Sequence, residues 1–169
     1  MNQSSKEMIL RRLQEEGIAC QVFAHEAAHT MEDCLALPYA APDVTFCKNI
    51  LLCNRQMTAF FLYVTLPDQP FRTSEVSKLL GSSRLSFAPP ECLMQMLNLE
   101  SGSLSPLALW SDTGNKIVLA FDRRVCRPGR IAFHPADNTA TVIFRQDVFW
   151  QQVVPLLEHE TRWIHPEST

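Results

Sequence analysis

Two histidines and a glutamate near the N-terminus have the spacing of a zinc hydrolase motif. His25, Glu26 and His29 fall in the string HEAAH, which fits the pattern H-E-x-x-H. In zinc hydrolases this pattern lies on one helix, where two histidines one turn apart bind the metal and the glutamate activates a water molecule. The zinc interpretation therefore requires residues 25–29 to be helical, and it also requires a third ligand.

The residues around this string predict a helix that begins only after it. The residues before it read as a short strand, and Thr30-Met-Glu-Asp33 has the capping-box pattern, with acids where the helix dipole favours them. His25 would then end a strand and His29 would lie in a connection, so the two imidazoles could not share a helix face. The extended zincin pattern is missing after His29, although Cys34 and Asp43 are conceivable ligands. A zinc hydrolase using His25 and His29 stays a remote alternative, and no metal site is expected.

The composition is that of an ordinary globular protein. The 169 residues are 46% hydrophobic and 20% charged, with a formal net charge of −3 and a pI of about 5.9. This balance argues against binding of nucleic acid through one large basic surface, but it leaves room for a local patch. The candidates for such a patch are Arg72, Lys78, Arg84, Arg123, Arg124, Arg127 and Arg130.

Cysteine usage and hydropathy predict a reduced, soluble, cytoplasmic protein. The six cysteines are scattered with no C-x-x-C pair, and several lie in apolar runs where a free thiol behaves as a small hydrophobe. The N-terminus is polar rather than signal-like, and no apolar run has the length of a membrane span.

Hairpins with interspersed helices predict an α+β fold. The Ser4-Ser-Lys-Glu7 capping box begins the first helix. Residues 48–53 and 59–65 are apolar runs joined by a polar turn, which is typical of neighbouring buried antiparallel strands. Residues 104–110 contain Pro106 and are therefore expected to form an edge or loop-lining strand. The other predicted strands cover 84–88, 116–121, 130–134, 139–144 and 162–164, and the other predicted helices cover 73–80, 89–97 and 147–157.

Four segments together resemble one known family. They are Lys48-Asn-Ile-Leu-Leu, Leu80-Gly-Ser-Ser-Arg-Leu-Ser-Phe-Ala88, Gly102-Ser-Leu-Ser-Pro106 followed by Leu107-Ala-Leu and Asp112-Thr, and Phe133-His-Pro-Ala-Asp-Asn-Thr-Ala-Thr141. Their order and spacing are similar to those of the YbaK/ProX family, the free-standing relatives of the editing domain of bacterial prolyl-tRNA synthetases. The resemblance implies a single domain over residues 1–169, with a mixed, curved and partly barrel-like β-sheet surrounded by helices.

The resemblance also implies an aminoacyl-tRNA deacylase that acts in trans. Its expected reaction is attack of water on the aminoacyl ester of mischarged tRNA(Pro), with alanyl-tRNA(Pro) as the expected substrate. Lys48 matches the lysine that holds the terminal phosphate or the ester carbonyl, and Gly102 matches a glycine that lets the backbone approach the aminoacyl end. His134 matches a histidine that orients the aminoacyl group or the water, with general-base duty as the weaker option. The positions expected to bind substrate are Asn49, Ser103, Ser105, Pro106, Asp137, Asn138 and Thr139.

Singly, these residues have ordinary explanations. A lysine at a strand start is usually a solvated edge charge, and a histidine before proline is usually a turn residue. Their joint occurrence at the family's spacing favours the catalytic interpretation. The expected partner is the 3′-aminoacyl end of misacylated tRNA, with transient contact to prolyl-tRNA synthetase or an elongation factor, and no cofactor or membrane is expected.

Three positions depart from the family's pattern and leave the specificity open. Cys47 stands where the family often has a hydroxyl or glycine, and Leu107 and Ala108 differ from the common Pro-Phe-Gly-Leu sequence. Because one or two heavy atoms in a pocket are worth only about 1–3 kcal/mol, alanyl, seryl, cysteinyl and threonyl groups all stay candidates. A non-catalytic aminoacyl-tRNA-binding protein is a further alternative. Cys47 beside Lys48 is expected to be a packed thiol rather than a nucleophile.

Overall fold

Two mixed β-sheets with helices packed around them make up the fold. The computed structural model of the protein describes residues 4–28, 31–37 and 40–166. The helices are α1 (Ser5–Glu15), α2 (Met31–Leu35), α3 (Thr73–Leu79), α4 (Pro90–Leu97), α5 (Gln146–Val148) and α6 (Val154–Leu157). The strands are β1 (Gln21–Ala24), β2 (Val44–Phe46), β3 (Lys48–Asn54), β4 (Phe60–Thr65), β5 (Leu85–Phe87), β6 (Ile117–Asp122), β7 (Arg130–Phe133), β8 (Ala140–Arg145) and β9 (Thr161–Ile164). Short 3₁₀ helices cover Ser101–Ser103, Pro106–Ser111 and Arg123–Val125, and a π-helical turn covers Phe149–Val153.

The first passage of the chain between the sheets, from β2 to β3, takes a single buried residue. The smaller sheet has the strand order β1-β8-β7-β2, and the larger one has the order β5-β3-β4-β6-β9. Parallel pairs (β2 with β7, and β6 with β4 and β9) occur beside antiparallel ones. Only Cys47 separates β2 from β3, so Lys48 begins β3 at the junction of the sheets. The predicted α+β class with mixed sheet is confirmed, and its strands are divided between these two sheets.

Local sequence signals fixed two early elements as predicted. The Ser4 hydroxyl accepts a hydrogen bond from the Glu7 amide at 3.1 Å, which caps α1. β3 and β4 pair as the predicted antiparallel hairpin, with Lys48 opposite Thr65 at its open end. This register places Lys48 at the end of the hairpin where the chain arrives from β2.

The prediction of a strand over residues 104–110 is wrong. Pro106–Ser111 is a 3₁₀ helix, with Pro106 in its first turn and the Ser105 side chain as its N-cap. This helix packs against α1, α4 and α6, and its first four residues, 106–109, are apolar and buried. A short continuous apolar run does not distinguish such a helix from a buried strand.

Two other elements were predicted incompletely. β2 was not predicted, because its three residues carry no periodicity and it is held by pairing with the distant β7. The helix predicted over 147–157 is present as α5, the π-helical turn and α6 in succession. Pro155 lies in this region and has no N–H to donate to the preceding turn. No helix of the described residues is long and apolar enough to cross a membrane.

Candidate active site

A cavity of about 280 Å³ opens where the chain passes from β2 to β3. It is near the lower end of the range for small-molecule sites, roughly 300–1,000 Å³, so it suits a small chemical group rather than a whole nucleotide. Its walls combine apolar side chains with a few polar ones. The lining residues are Ala28, Cys34, Phe46, Cys47, Lys48, Asn49, Pro67, Gly102, Leu104, Ala132, Phe133, His134 and Thr141.

The structure brings the three residues predicted to be catalytic to this one cavity. Lys48 comes from the start of β3, Gly102 from the first 3₁₀ helix, and His134 directly follows β7. Asn49, predicted to bind substrate, lies beside Lys48 on the same rim. These residues are far apart in sequence, so the two sheets and the 3₁₀ helix are what position them together.

Lys48 supplies an unneutralised cation at the mouth of the cavity. Its Nζ atom lies 5.6 Å from the centre of the Phe71 ring, a cation–π contact. Within the described residues Lys48 forms no ion pair with a carboxylate. The ammonium group is therefore available for an anionic or carbonyl oxygen.

Asn49 carries a buried hydrogen-bond acceptor that the described part of the chain does not satisfy. Its Nδ2 donates to the Cys47 carbonyl at 3.3 Å, which orients the amide. Its Oδ1 atom is buried and has no hydrogen-bond partner there. Because a buried unsatisfied acceptor costs roughly 1–3 kcal/mol, such an atom indicates a place where a ligand donor binds.

The His134 imidazole is oriented with one nitrogen towards the protein and the other towards the cavity. Nδ1 donates to the Ala140 carbonyl at 2.7 Å, so Nε2 is the acceptor of the neutral ring, and it lies 3.4 Å from the Cys34 Sγ atom. Burial lowers the pKa of His134 below its usual 6.5; nearby His25 acts in the same direction, and the Ala140 hydrogen bond and Asp137 oppose it. His134 is therefore neutral at pH 7.

Cys34 and Thr141 line the cavity but were not among the residues predicted for the deacylase site, and Cys34 was considered only as a conceivable zinc ligand. Burial, and then the neighbouring Asp33, raise the pKa of the Cys34 thiol, so it is protonated at neutral pH. The Thr141 hydroxyl lies 2.8 Å from Nε2 of His25 and 3.5 Å from Nδ1 of His134. Thr141 ends the fourth motif and could have been noticed there, whereas no local signal connects Cys34 with a histidine 100 positions away.

The geometry around the HEAAH string removes the helix that a zinc motif needs. The predicted strand before the string is present as β1, which ends at Ala24, one residue before His25, and residues 25–28 are not helical. His25 uses its ring nitrogens with the Glu26 carbonyl, at 2.6 Å, and with Thr141. No group of three potential metal ligands occurs among the residues that the structure describes. His29 and the predicted cap Thr30 lie outside those residues.

The serines and the proline of the loop after Gly102 lie outside the lining of the cavity. Ser103, Ser105 and Pro106 are not among the lining residues, in contrast to Gly102 beside them. The Ser105 hydroxyl donates to the His134 carbonyl at 2.7 Å and accepts from the Leu107 amide at 3.2 Å. Ser105 therefore fixes the position of the His134 backbone relative to the 3₁₀ helix.

The loop after His134 holds the N-terminal segment against the cavity. Asp137 Oδ1 accepts hydrogen bonds from the Thr139 amide, at 2.8 Å, and from its hydroxyl, at 2.6 Å, which closes the loop on itself. The Asn138 carbonyl accepts from the Ala28 amide, and the Thr139 carbonyl accepts from the His25 amide. These three residues, predicted to bind substrate, do not line the cavity, and a direct contact with substrate stays a prediction for them.

The departures from the family's pattern affect the cavity unequally. Leu107 and Ala108 are buried in the core and do not line the cavity. Cys47 lines it, but burial strongly raises the pKa of its thiol, so a nucleophilic thiolate at this position is disfavoured.

The protein is thus an α+β protein in which a cation, an amide oxygen and a neutral imidazole, those of Lys48, Asn49 and His134, line one small cavity. The chain belongs to the aminoacyl-tRNA editing domain family, whose model matches residues 25–149 and so spans every residue that lines the cavity. The chain is accordingly an aminoacyl-tRNA deacylase, and the resemblance to the YbaK/ProX family is confirmed.

Known proteins from bacteria and animals are similar to most of the chain. The prolyl-tRNA editing protein ProX of Acetoanaerobium sticklandii is 27% identical over 143 residues, which covers 85% of this chain and 87% of ProX. The prolyl-tRNA synthetase associated domain-containing protein 1 of Danio rerio is 30% identical over a stretch that covers 80% of this chain and 72% of the Danio rerio protein. A crystal structure described as a candidate trans-editing enzyme for prolyl tRNA synthetase superposes with a TM-score of 0.73 at 12% identity, covering 99% of this chain and all of its own (100%), and shows the same fold.

Proposed function

We propose that the protein hydrolyses the aminoacyl ester of mischarged tRNA(Pro) in trans, with alanyl-tRNA(Pro) as its main substrate. The observation that carries this proposal is the meeting of Lys48, Asn49, Gly102 and His134 around one small cavity. The similarity to ProX, a prolyl-tRNA editing protein, supports the choice of tRNA(Pro). Transient contact with prolyl-tRNA synthetase or an elongation factor, and action in the cytoplasm, stay predictions.

The reaction is attack of a water oxygen on the ester carbonyl carbon, followed by cleavage of the bond between that carbon and the ribose oxygen. One water proton passes to the departing ribose oxygen and the free amino acid is released. The Lys48 ammonium stabilises the negative charge that develops on the carbonyl oxygen or holds the terminal phosphate. Nε2 of His134 accepts a hydrogen bond from the water or the aminoacyl group and so orients it.

The buried oxygen of Asn49 suits the positive end of an aminoacyl group. An α-ammonium group is a donor without acceptor capacity, and Oδ1 of Asn49 is an acceptor without a partner in the described residues. The side chain of the amino acid, in contrast, meets an apolar part of the cavity. Ala28, Phe46 and Ala132 belong to a small buried apolar cluster that reaches the cavity, which favours a small apolar side chain such as that of alanine.

The test is a deacylation panel with tRNA(Pro) charged with alanine, serine, cysteine, threonine or proline. We expect the largest kcat/KM for the alanyl ester. Lys48→Ala is expected to lower it by about 100-fold or more, as loss of an oxyanion-stabilising group does. Lys116→Ala, which removes an exposed lysine outside the cavity, is the matched control and should behave as the wild type.

Each result of this panel has a definite meaning. Equal turnover by wild type and Lys48→Ala would refute the role of Lys48. A preference for cysteinyl- or seryl-tRNA(Pro) would keep the deacylase and replace its substrate. Binding of every aminoacyl-tRNA without turnover would favour the non-catalytic alternative.

A further inference from the structure

A second concave surface adjoins the cavity and shares Lys48 with it. This surface, here called the aromatic groove, has an open volume of about 510 Å³, larger than that of the cavity. It lies between the start of β3, the segment that enters α3, and β5. Its lining residues are Lys48, Pro70, Phe71, Arg72, Thr73, Ser74, Arg84 and Phe87.

Two phenylalanine rings form one wall of the aromatic groove. Phe87 is 60% exposed, the highest value among the exposed large hydrophobic side chains of the described residues. Its ring centre lies 6.1 Å from that of Phe71, with 37° between the planes. Phe71 is in turn held by an edge-to-face contact with the fully buried Tyr63, at 5.2 Å. The wall is therefore a supported aromatic surface that is open on one side.

The two arginines of the groove have no ion pair within the described part of the chain. Within the described residues, neither Arg72 nor Arg84 pairs with a carboxylate, and both are exposed. Arg124 and Arg130, which the sequence also nominated for a basic patch, are neutralised by Asp122 and Asp43. The groove is thus a place where positive charge is left for an external anion.

We propose that the aromatic groove binds the unpaired nucleotides at the 3′ end of the RNA substrate, with bases stacked on Phe87 and Phe71 and phosphates held by Arg72 and Arg84. Aromatic faces interleaved with cations are the usual means of binding single-stranded nucleic acid without reading its sequence. The proposal rests on the proposed function, because an aminoacyl ester in the cavity has its nucleotide directly outside. Lys48 borders both spaces, so a nucleotide in the groove and an ester in the cavity belong to one continuous ligand.

The binding test uses a fluorescein-labelled oligonucleotide, 5′-ACCA-3′, and its anisotropy. Phe87→Ala is expected to raise Kd roughly five- to tenfold, the lower part of the range for loss of one stacking face. Phe87→Trp keeps an aromatic face and should restore the wild-type Kd. Arg84→Ala should reduce the slope of log K against log salt concentration by about 0.7, the value for one single-strand phosphate contact.

The controls remove an exposed hydrophobic side chain and an arginine from elsewhere. Met94→Ala truncates a residue of α4 that is 49% exposed. Arg55→Ala removes an arginine of the β3–β4 turn that has no ion pair within the described residues. Both should leave Kd within about a factor of two of the wild type, as surface changes away from a binding site do. Failure of the wild type to bind the oligonucleotide, equal losses in the controls, or an equal loss for a blunt-ended RNA hairpin would overturn the groove assignment.

A second measurement separates the groove from the deacylase activity. Alanine ethyl ester fills only the cavity, so the groove variants should hydrolyse it as the wild type does. Their KM for alanyl-tRNA(Pro), in contrast, should rise. Normal KM for alanyl-tRNA(Pro) in Phe87→Ala would refute the groove and leave the proposed function intact. Binding of the oligonucleotide through Phe87, with no turnover of any aminoacyl-tRNA, would refute the proposed function and leave the groove intact.

Discussion

Two buried histidines of this protein are anchored alike and differ in what their second nitrogen faces. Nδ1 of His159 contacts the Leu157 carbonyl at 2.6 Å, as Nδ1 of His134 contacts that of Ala140 at 2.7 Å. Nε2 of His159 lies 3.1 Å from the Asp112 carboxylate, whereas Nε2 of His134 faces the cavity and the weakly polar thiol of Cys34. The first ring is paired with a carboxylate, whereas the described partner of Nε2 in the second ring is a thiol, a weak donor that a ligand can replace.

The same difference extends to the groups around the two histidines. Asp112 also accepts a hydrogen bond from the Ile117 amide at 2.8 Å, so its carboxylate joins the start of β6 to the segment before β9. Around His134, the Lys48 ammonium and the Asn49 oxygen have no hydrogen-bonded or ion-paired partner in the described residues. The polar groups around His159 are satisfied and hold the fold together, whereas those of Lys48 and Asn49 are left for the proposed substrate.

The largest effect should come from breaking the satisfied histidine. In Asp112→Ala, the Ile117 amide and the His159 ring lose a common acceptor. The site is buried, since the side chains of Asp112 and His159 are 5% and 2% exposed. We expect a loss of about 3 kcal/mol in the free energy of unfolding, measured by urea denaturation, because two buried groups lose their acceptor at a cost of roughly 1–3 kcal/mol each. This site is far from Lys48. On β4, Phe60 lies opposite Ile117 and Thr65 lies opposite Lys48, so five residues, or about 17 Å along the strand, separate the two places.

Turnover is the control for that variant. Deacylation per folded molecule by Asp112→Ala should match the wild type, and Asp147→Ala, which breaks an exposed pair with Arg145, should change stability by less than about 1 kcal/mol. A specific loss of kcat in Asp112→Ala with normal stability would contradict the division between the two histidine centres.

A smaller effect, on turnover instead of stability, is expected at the unsatisfied centre. Asn49→Ala removes the acceptor proposed for the α-ammonium group and should lower kcat/KM for alanyl-tRNA(Pro) by about tenfold or more, the value of a charge-assisted hydrogen bond. Its urea midpoint should fall only slightly, because Oδ1 has no partner within the described residues and the bond lost is the long one from Nδ2 to the Cys47 carbonyl, at 3.3 Å. Steady-state deacylation and denaturation of the same preparations measure both quantities.

The substrate offers the matched control for Asn49. N-acetylalanyl-tRNA(Pro) lacks the positive charge, so the wild type should prefer the free amine strongly, and Asn49→Ala should nearly lose that preference. Asn49→Asp keeps an acceptor oxygen and should retain more of it. The same ratio of the two rates in wild type and Asn49→Ala would remove Asn49 from substrate binding.

Elements set by neighbouring residues could be predicted from the sequence, and contacts between distant segments could not. The Ser4 cap and the β3–β4 hairpin depend on side chains a few positions apart, and both were found as predicted. The 3₁₀ helix Pro106–Ser111 was mistaken for a strand, because its apolar residues are explained only by helices that pack on it from elsewhere in the chain.

The same limit applies to the site. Lys48, Gly102 and His134 were identified from motifs, and the structure places all three at the cavity. Cys34 beside His134 and the ring of Phe87 beside Phe71 were not identified, because these contacts arise only when the sheets and loops come together. Charge counts nominated Arg124 with Arg84, and only the structure shows that Asp122 already neutralises Arg124.

The smallest effect concerns pH, and it compares the two histidine centres directly. Burial lowers the pKa of His134 below 6.5, so the ring stays neutral where an ordinary histidine is half protonated. Enzyme-catalysed kcat/KM, corrected for spontaneous hydrolysis, should therefore keep more than about half of its pH 7.0 value at pH 6.5 and fall only at lower pH. Below pH 6.5 the unfolded chain binds a proton that folded His134 does not, so His134 also makes stability fall as the pH is lowered. His134→Asn should lose this pH-dependent contribution to stability and Asp112→Ala should keep it. Urea midpoints between pH 5 and 7 measure the difference. In the rate measurement, a midpoint at or above pH 6.5 would mean that the His134 ring is solvated.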